Sequence, residues 1–236
     1  LPWGLAGATA SAVAPGAPLR LLLANVNVAN RDLGRLIDLA EREAPDLLVL
    51  QEVNRHWVEG LEALERPLPF RVIESREDPF GIGVLSRWPL IEHRVETLGS
   101  GQPPIIRAVL DVRGRPVTVL AAHPLPPESP AWWALRNRQL RDLAATARET
   151  NGPLILIANH PYGILDGLMM GHILSESRGD FRILAHRVFR KADDLNRIIL
   201  PISFDETREA RAQNIETRRQ SLQYLAEGGA IGIFPG

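Results

Sequence analysis

The sequence predicts an α/β fold with a mixed β-sheet core flanked by helices. Short apolar runs of strand length recur along the chain and stop at polar residues, and a helical repeat of apolar positions separates the first two runs. After about residue 150 strands and helices alternate more regularly. A chain of 236 residues forms either one large α/β domain or two small ones, and it can bury a sizeable core.

The elements follow in order. Leu19 to Val28 reads as a buried strand, and Asp32 is placed to cap a helix with apolar positions Leu33, Leu36, Ile37, Leu39 and Ala40. Pro45 ends that helix, and Asp46 to Val53 is a second apolar strand, so the three make a crossover unit with a parallel pair. Strands are predicted at Phe70 to Glu74, Gly81 to Ser86, Ile91 to Leu98, Ile105 to Val112 and Val117 to Ala122, with a turn at Arg113-Gly114-Arg115-Pro116. A helix over Trp132 to Thr150 precedes a strand at Leu154 to Ala158. Beyond it lie a helix at Leu165 to Ser175, strands at Phe181 to Ala185 and Ile198 to Phe204, a helix at Arg208 to Ala226 and a strand at Ala230 to Phe234. Residues 1–18 read as an apolar leader or a frayed tail, shorter than the ~20 residues of a membrane span.

Composition narrows the function classes. There is no Cys, which excludes disulfides, thiolate nucleophiles and Cys-ligated zinc. The net charge is −1 and Lys191 is the only Lys, so the chain carries no electrostatic footprint for nucleic acid. All five Trp precede Asn151, whereas both Met, both Tyr and only one Val, Val188, follow it. That shift is consistent either with two sequence sources or with one Val-rich sheet domain.

Residues 19–158 resemble the endonuclease/exonuclease/phosphatase family. The carrying residues are Leu-Leu-Leu-Ala-Asn25-Val-Asn27, Pro45-Asp-Leu-Leu-Val-Leu-Gln51-Glu52-Val, Gly83-Val-Leu-Ser-Arg87-Trp-Pro-Leu and Val119-Leu-Ala-Ala-His123-Pro. A membrane-tethered bacterial branch is the nearest in pattern. The resemblance implies a two-sheet sandwich with metal-dependent phosphoesterase chemistry, Mg²⁺ on Glu52 with Asn25 beside it, and His123 on the scissile phosphate. A carboxylate closing a strand that should be buried is costly without a partner, which points to Glu52 independently. His123 also fits a hydrogen-bonded strand-end histidine, and Asn25 a turn residue. The family pattern continues with Gly-Asp-x-Asn after the strand at 154–158 and with a later Asp-His pair. Here the strand leads into Asn159-His160-Pro161, Gly179-Asp180-Phe181 precedes a strand instead of ending one, and no Asp-His pair follows.

Residues 153–236 are similar to the glycerolipid or lysophospholipid acyltransferases, in particular a hemolysin-like branch. The similarity lies in Asn159-His160-Pro-Tyr-Gly-Ile-Leu-Asp166-Gly167, Asp180-Phe-Arg-Ile-Leu-Ala-His186, Leu200-Pro-Ile-Ser-Phe-Asp205 and Gly228-Gly-Ala-Ile-Gly-Ile-Phe-Pro-Gly236. It implies His160 as general base, Asp166 as the group that orients it, and either Asn159 or a helix N-terminus beyond Gly163 at the oxyanion. Arg208 and Arg211 are candidates for the acceptor's phosphate or carboxylate, or solvated helix positions. The chain stops inside the last block of that pattern.

The sequence therefore reads as a hybrid, recombined or designed, of a portion at 19–158 and a portion at 159–236 joined through a shared strand near 154–158, with one continuous domain as the alternative. The leading functional expectation is weak acyl transfer from acyl-CoA or acyl carrier protein to a lysophospholipid-like acceptor through His160 and Asp166, without a cofactor and with peripheral membrane contact. The alternatives are Mg²⁺-dependent phosphodiester or pyrophosphate hydrolysis through Glu52, and a folded scaffold without activity. The two resemblances imply conflicting locations, outside the cytoplasm for the first and at its membrane face for the second.

Overall fold

The computed structural model describes residues 10–14, 17–158, 171–176, 178–186 and 196–233. Its first sheet contains β1 (Ala10–Ala14), β2 (Ala17–Asn25), β3 (Leu47–Gln51), β4 (Phe70–Glu74) and β5 (Ile82–Ser86), in the spatial order β1-β2-β3-β5-β4. β2 and β3 are parallel and joined through α1 (Leu33–Glu43), as the crossover pattern predicts, while the other pairs are antiparallel. Asp32 caps α1 by accepting from the Arg35 amide at 3.4 Å, and Ala44 closes it in a left-handed conformation just before Pro45.

The second sheet is ordered β6 (Leu90–Glu96), β7 (Ile105–Val112), β8 (Arg115–Ala122) and β9 (Leu154–Ala158). β7 and β8 form a hairpin whose two-residue loop, Arg113 and Gly114, has positive φ at both positions, the geometry that follows strand twist. β8 and β9 are parallel and are linked by α3 (Pro130–Glu149), which Ser129 caps.

The two sheets pack face to face. Leu21, Leu23, Leu47, Val49 and Val84 of the first sheet meet Ile106, Ala108, Val119, Ala121 and Ile157 of the second. β3 is buried along its whole length. Its alternate residues, Leu48 and Leu50, face Leu36, Leu39 and Trp57 on the helical side. Leu140, Leu143 and Ala144 of α3 cover the outer face of the second sheet against Ile105 and Ala122.

A separate parallel sheet is ordered β11 (Ile199–Ile202), β10 (Phe181–His186) and β12 (Ala230–Ile233), with α4 (Arg208–Ala226) against β11 and β12. β9 therefore belongs to the second sheet. Among the described residues it pairs with β8 alone, and Leu156 and Ala158 pack beside the cluster of Leu174, Phe181 and Ile183 that lies at the third sheet.

Three short elements depart from expectation. Residues 10–14 pair with β2 instead of fraying, and α2 (Arg55–Gly60) and a 3₁₀ turn at Leu61–Leu64 follow β3. No helix among the described residues is long and apolar enough to cross a membrane.

Candidate active site

Register brings the site together. Asn25 and Gln51 are partners at the ends of β2 and β3, so Glu52 follows immediately beside Asn25. His123 follows β8 in the opposing sheet. Between them the buried Gln51 side chain donates from Nε2 to the Ala122 carbonyl at 2.8 Å, tying the two sheets together one residue before Glu52 and one before His123.

Glu52 adopts φ of +64°. A non-glycine residue there costs roughly 1–2 kcal/mol, and such strain persists only where its surroundings hold it. They do: Oε1 accepts from Asn25 Nδ2 at 2.8 Å and Oε2 from the Val28 amide at 3.1 Å. Asn25 Oδ1 in turn accepts from the Asn27 amide at 3.0 Å. The Val28 carbonyl accepts from Asn54 Nδ2 at 3.0 Å, and Asn54 also caps α2 through the Trp57 amide. The carboxylate is thus fixed by the β2–α1 loop, and that loop by the helix that follows Glu52.

His123 is 5% exposed, and its Nδ1 is buried with no hydrogen-bond partner among the described residues. Such an orphan calls for an explanation, and a bound group is one. Burial lowers the imidazole pKa below its ordinary value, with the Glu52 charge acting in the opposite direction. The fold therefore favours neutral His123.

The sign of the pH effect follows. In the unfolded chain the imidazole titrates near 6.5, so the stability gained from holding it neutral is fully present above that pH and is lost as pH falls below it toward the folded value. The thermal midpoint should fall from pH 7.5 to 5.5, and His123→Gln should flatten that slope. An unchanged slope in the variant would show that another group carries it.

The β4–β5 loop closes one side. Val53 donates to the Gly81 carbonyl at 3.2 Å, and the Val53 carbonyl accepts from the Arg76 amide at 3.0 Å. Gly81 lies so close that a Cβ there would sit 1.8 Å from the Val53 carbonyl oxygen. Next to it, the Phe80 ring meets His123 edge to face at 5.8 Å.

Residues 22–171 match the pattern described as the Endonuclease/Exonuclease/phosphatase family. The chain belongs to that family. The match spans well over half of the sequence and runs across the junction at Asn159. Among curated proteins nothing matches.

Several solved structures share the fold of this endonuclease/exonuclease/phosphatase domain. A sphingomyelinase C from Streptomyces griseocarneus is 19% identical with a TM-score of 0.55, covering 71% of this chain and 73% of that one. A β-hairpin deletion mutant of beta toxin from Staphylococcus aureus is 15% identical with a TM-score of 0.54, covering 72% and 76%. D. rerio TDP2 in complex with a single-strand DNA product is 17% identical with a TM-score of 0.52, covering 59% of this chain. The chain spans 58% of the length of that TDP2 chain.

These findings correct the hybrid reading. The family match takes in Asn159, His160 and Asp166 as part of one phosphoesterase-family domain, which overturns acyl transfer as the function and leaves a recombined or designed origin without support. The error has a physical source. An apolar strand followed by Asn-His is a short local signal, and it does not specify which strand lies alongside. Asn159, His160 and Asp166 lie outside the described residues, as does most of the helix expected at Leu165 to Ser175. Arg208 and Arg211 are exposed on α4, which packs on β1, β11 and β12, away from the strand ends that carry Asn25, Glu52 and His123.

Asn25 ends β2, and Glu52 and His123 directly follow β3 and β8. Sequence reasoning assigned no role to Gln51, Asn54, Phe80 or Gly81. A buried-strand Gln and a Gly-flanked aromatic were the available signals, but their partners are distant in sequence.

Proposed function

We propose that this domain hydrolyses a phosphodiester with a divalent cation at Glu52. The observation that carries the reading is the Glu52 carboxylate, held in a strained backbone conformation beside Asn25 and within electrostatic reach of the buried His123 imidazole on the opposing sheet. Membership of the endonuclease/exonuclease/phosphatase family supports the same reaction class.

The residues fit Mg²⁺. The Glu52 carboxylate is a hard oxygen donor, although no group of three His, Cys, Asp or Glu that could hold a metal ion lies among the described residues. Mg²⁺ is often held by one or two carboxylates, with water and substrate phosphate completing its shell. Glu52 would hold it, with Asn25 keeping the carboxylate in place. When bound, the cation neutralises charge on the phosphoryl oxygens. His123, from the opposite sheet, donates an N–H to a non-bridging phosphate oxygen, and the Gln51 tie joins the two sheets one residue before each of these side chains.

Where the family pattern has Gly-Asp-x-Asn, this chain has Ala158-Asn159-His160-Pro161. The carboxylate that would accept the proton of the attacking water is an amide, so turnover is slow, on the order of 10²–10⁴-fold below that of a site with a general base. The net charge of −1 favours a small phosphodiester over a nucleic-acid polymer, whose binding needs a basic surface.

Hydrolysis of bis-p-nitrophenyl phosphate should require Mg²⁺ and stop on adding EDTA. Turnover indifferent to both would defeat the proposal.

A further inference from the structure

An aromatic wall rises from the site. The Phe80 ring stands edge to face with His123 at 5.8 Å and 77°, and it also meets Trp132, at 6.4 Å and 76°. Trp132, on the first turn of α3, is 38% exposed, and the adjacent Trp133 is 56% exposed. The rings therefore run without interruption from a buried imidazole to open solvent.

The backbone under the wall is tied to the site. Asp78 accepts from the Phe80 amide at 3.0 Å and is gripped by Arg76 through both Nε and Nη2. Arg76 and Gly81 are both bonded to Val53, the residue after Glu52. On the other side, the helix that presents Trp132 starts seven residues after His123 and is fixed by the Ser129 cap at 3.2 Å. The backbone beneath both rings is thus tied down before binding, which limits how far they can shift.

Resting on the phosphodiesterase reading, we infer that Phe80 and Trp132 are specificity-determining residues that select a phosphodiester carrying a planar ring on its ester oxygen. A substituent on a phosphate contacting His123 has Phe80 as its neighbour and Trp132 beyond. Two rings close to perpendicular form a step, which a flat ring fills by stacking on one side and meeting the other edge-on. Aromatic side chains stack with flat rings without reading their hydrogen-bonding edges. A saturated ring of the same size gains the apolar contact but not the ring–ring interaction.

The test is equilibrium binding by calorimetry in Mg²⁺, with dimethyl, dicyclohexyl and diphenyl phosphate as probes. Diphenyl phosphate is expected to bind at least tenfold tighter than either of the others. Trp132→Ala, at an exposed helix position, should cut that preference to threefold or less while leaving dimethyl phosphate affinity unchanged. Equal binding of diphenyl and dicyclohexyl phosphate would overturn the inference, as would a full preference surviving in Trp132→Ala. Turnover is read separately. Absence of Mg²⁺-dependent hydrolysis would defeat the phosphodiesterase reading, whereas the binding comparison decides the wall without it.

Discussion

Glu52→Gln is expected to lower Mg²⁺-dependent kcat/KM for a phosphodiester by at least about 100-fold, which corresponds to roughly 2.7 kcal/mol of lost transition-state stabilisation. The substitution keeps the side chain's length and one carbonyl oxygen, so an acceptor remains for Asn25 Nδ2 or the Val28 amide. What it removes is the charge that would hold the cation. Folding should change little, with the thermal midpoint within a few degrees of wild type, because the residue is only partly buried and the strained φ is unaltered. The decisive comparison is turnover against Mg²⁺ concentration. A variant that keeps wild-type turnover and the same Mg²⁺ dependence would remove Glu52 from the chemistry.

Gly81→Ala should be the most damaging single-methyl addition near the site. The new Cβ would lie 1.8 Å from the Val53 carbonyl oxygen and 2.8 Å from its carbonyl carbon, both backbone atoms that cannot rotate away. The strand start, the loop carrying Phe80 or the segment after Glu52 must move. Overpacking of this kind costs about 3 kcal/mol, a drop of roughly 6–12 °C in thermal midpoint for a chain of this size. Gly83→Ala, two residues along β5, is the control. Its nearest neighbours, on Ile73, are 3.4 Å or more away, and its φ is not in the left-handed region. If the two variants melt together, the close approach at Gly81 is not what holds the loop.

Much of the fold is legible in the sequence because strand burial is written locally. Leu47–Leu50 of β3, buried on both faces, reads as an unbroken apolar run, and the Asp32 cap and Pro45 bracket α1 from residues within reach of it. β1 escaped notice because an Ala-rich segment has little apolar contrast, and its strand state comes from pairing with β2. α2 is only six residues long and depends on Asn54 and on the buried Trp57.

The site divides in the same way. Asn25, Glu52 and His123 are visible as polar residues closing apolar strands. Gln51 bonds across 71 residues to Ala122, and Gly81 matters through a carbonyl 28 positions away, so no local window contains either relationship. The junction at Asn159 was misread for that reason as well. The identity of β9 is decided by its register with β8, Thr118 opposite Leu154 and Ala122 opposite Ala158, and not by the residues that follow it.

The Gln51 tie has a consequence for when the domain is competent. Its donor and acceptor belong to different sheets, as do Glu52 and His123, and each sheet holds its own strand pairs without the other. A fluctuation that parts the sheets at this edge leaves the strand ladders of each sheet intact yet separates Glu52 from His123. On the proposed phosphodiesterase reading, competence would be a property of the docked interface rather than of either layer, and turnover would register sheet docking that a spectroscopic measure of strand content would not see.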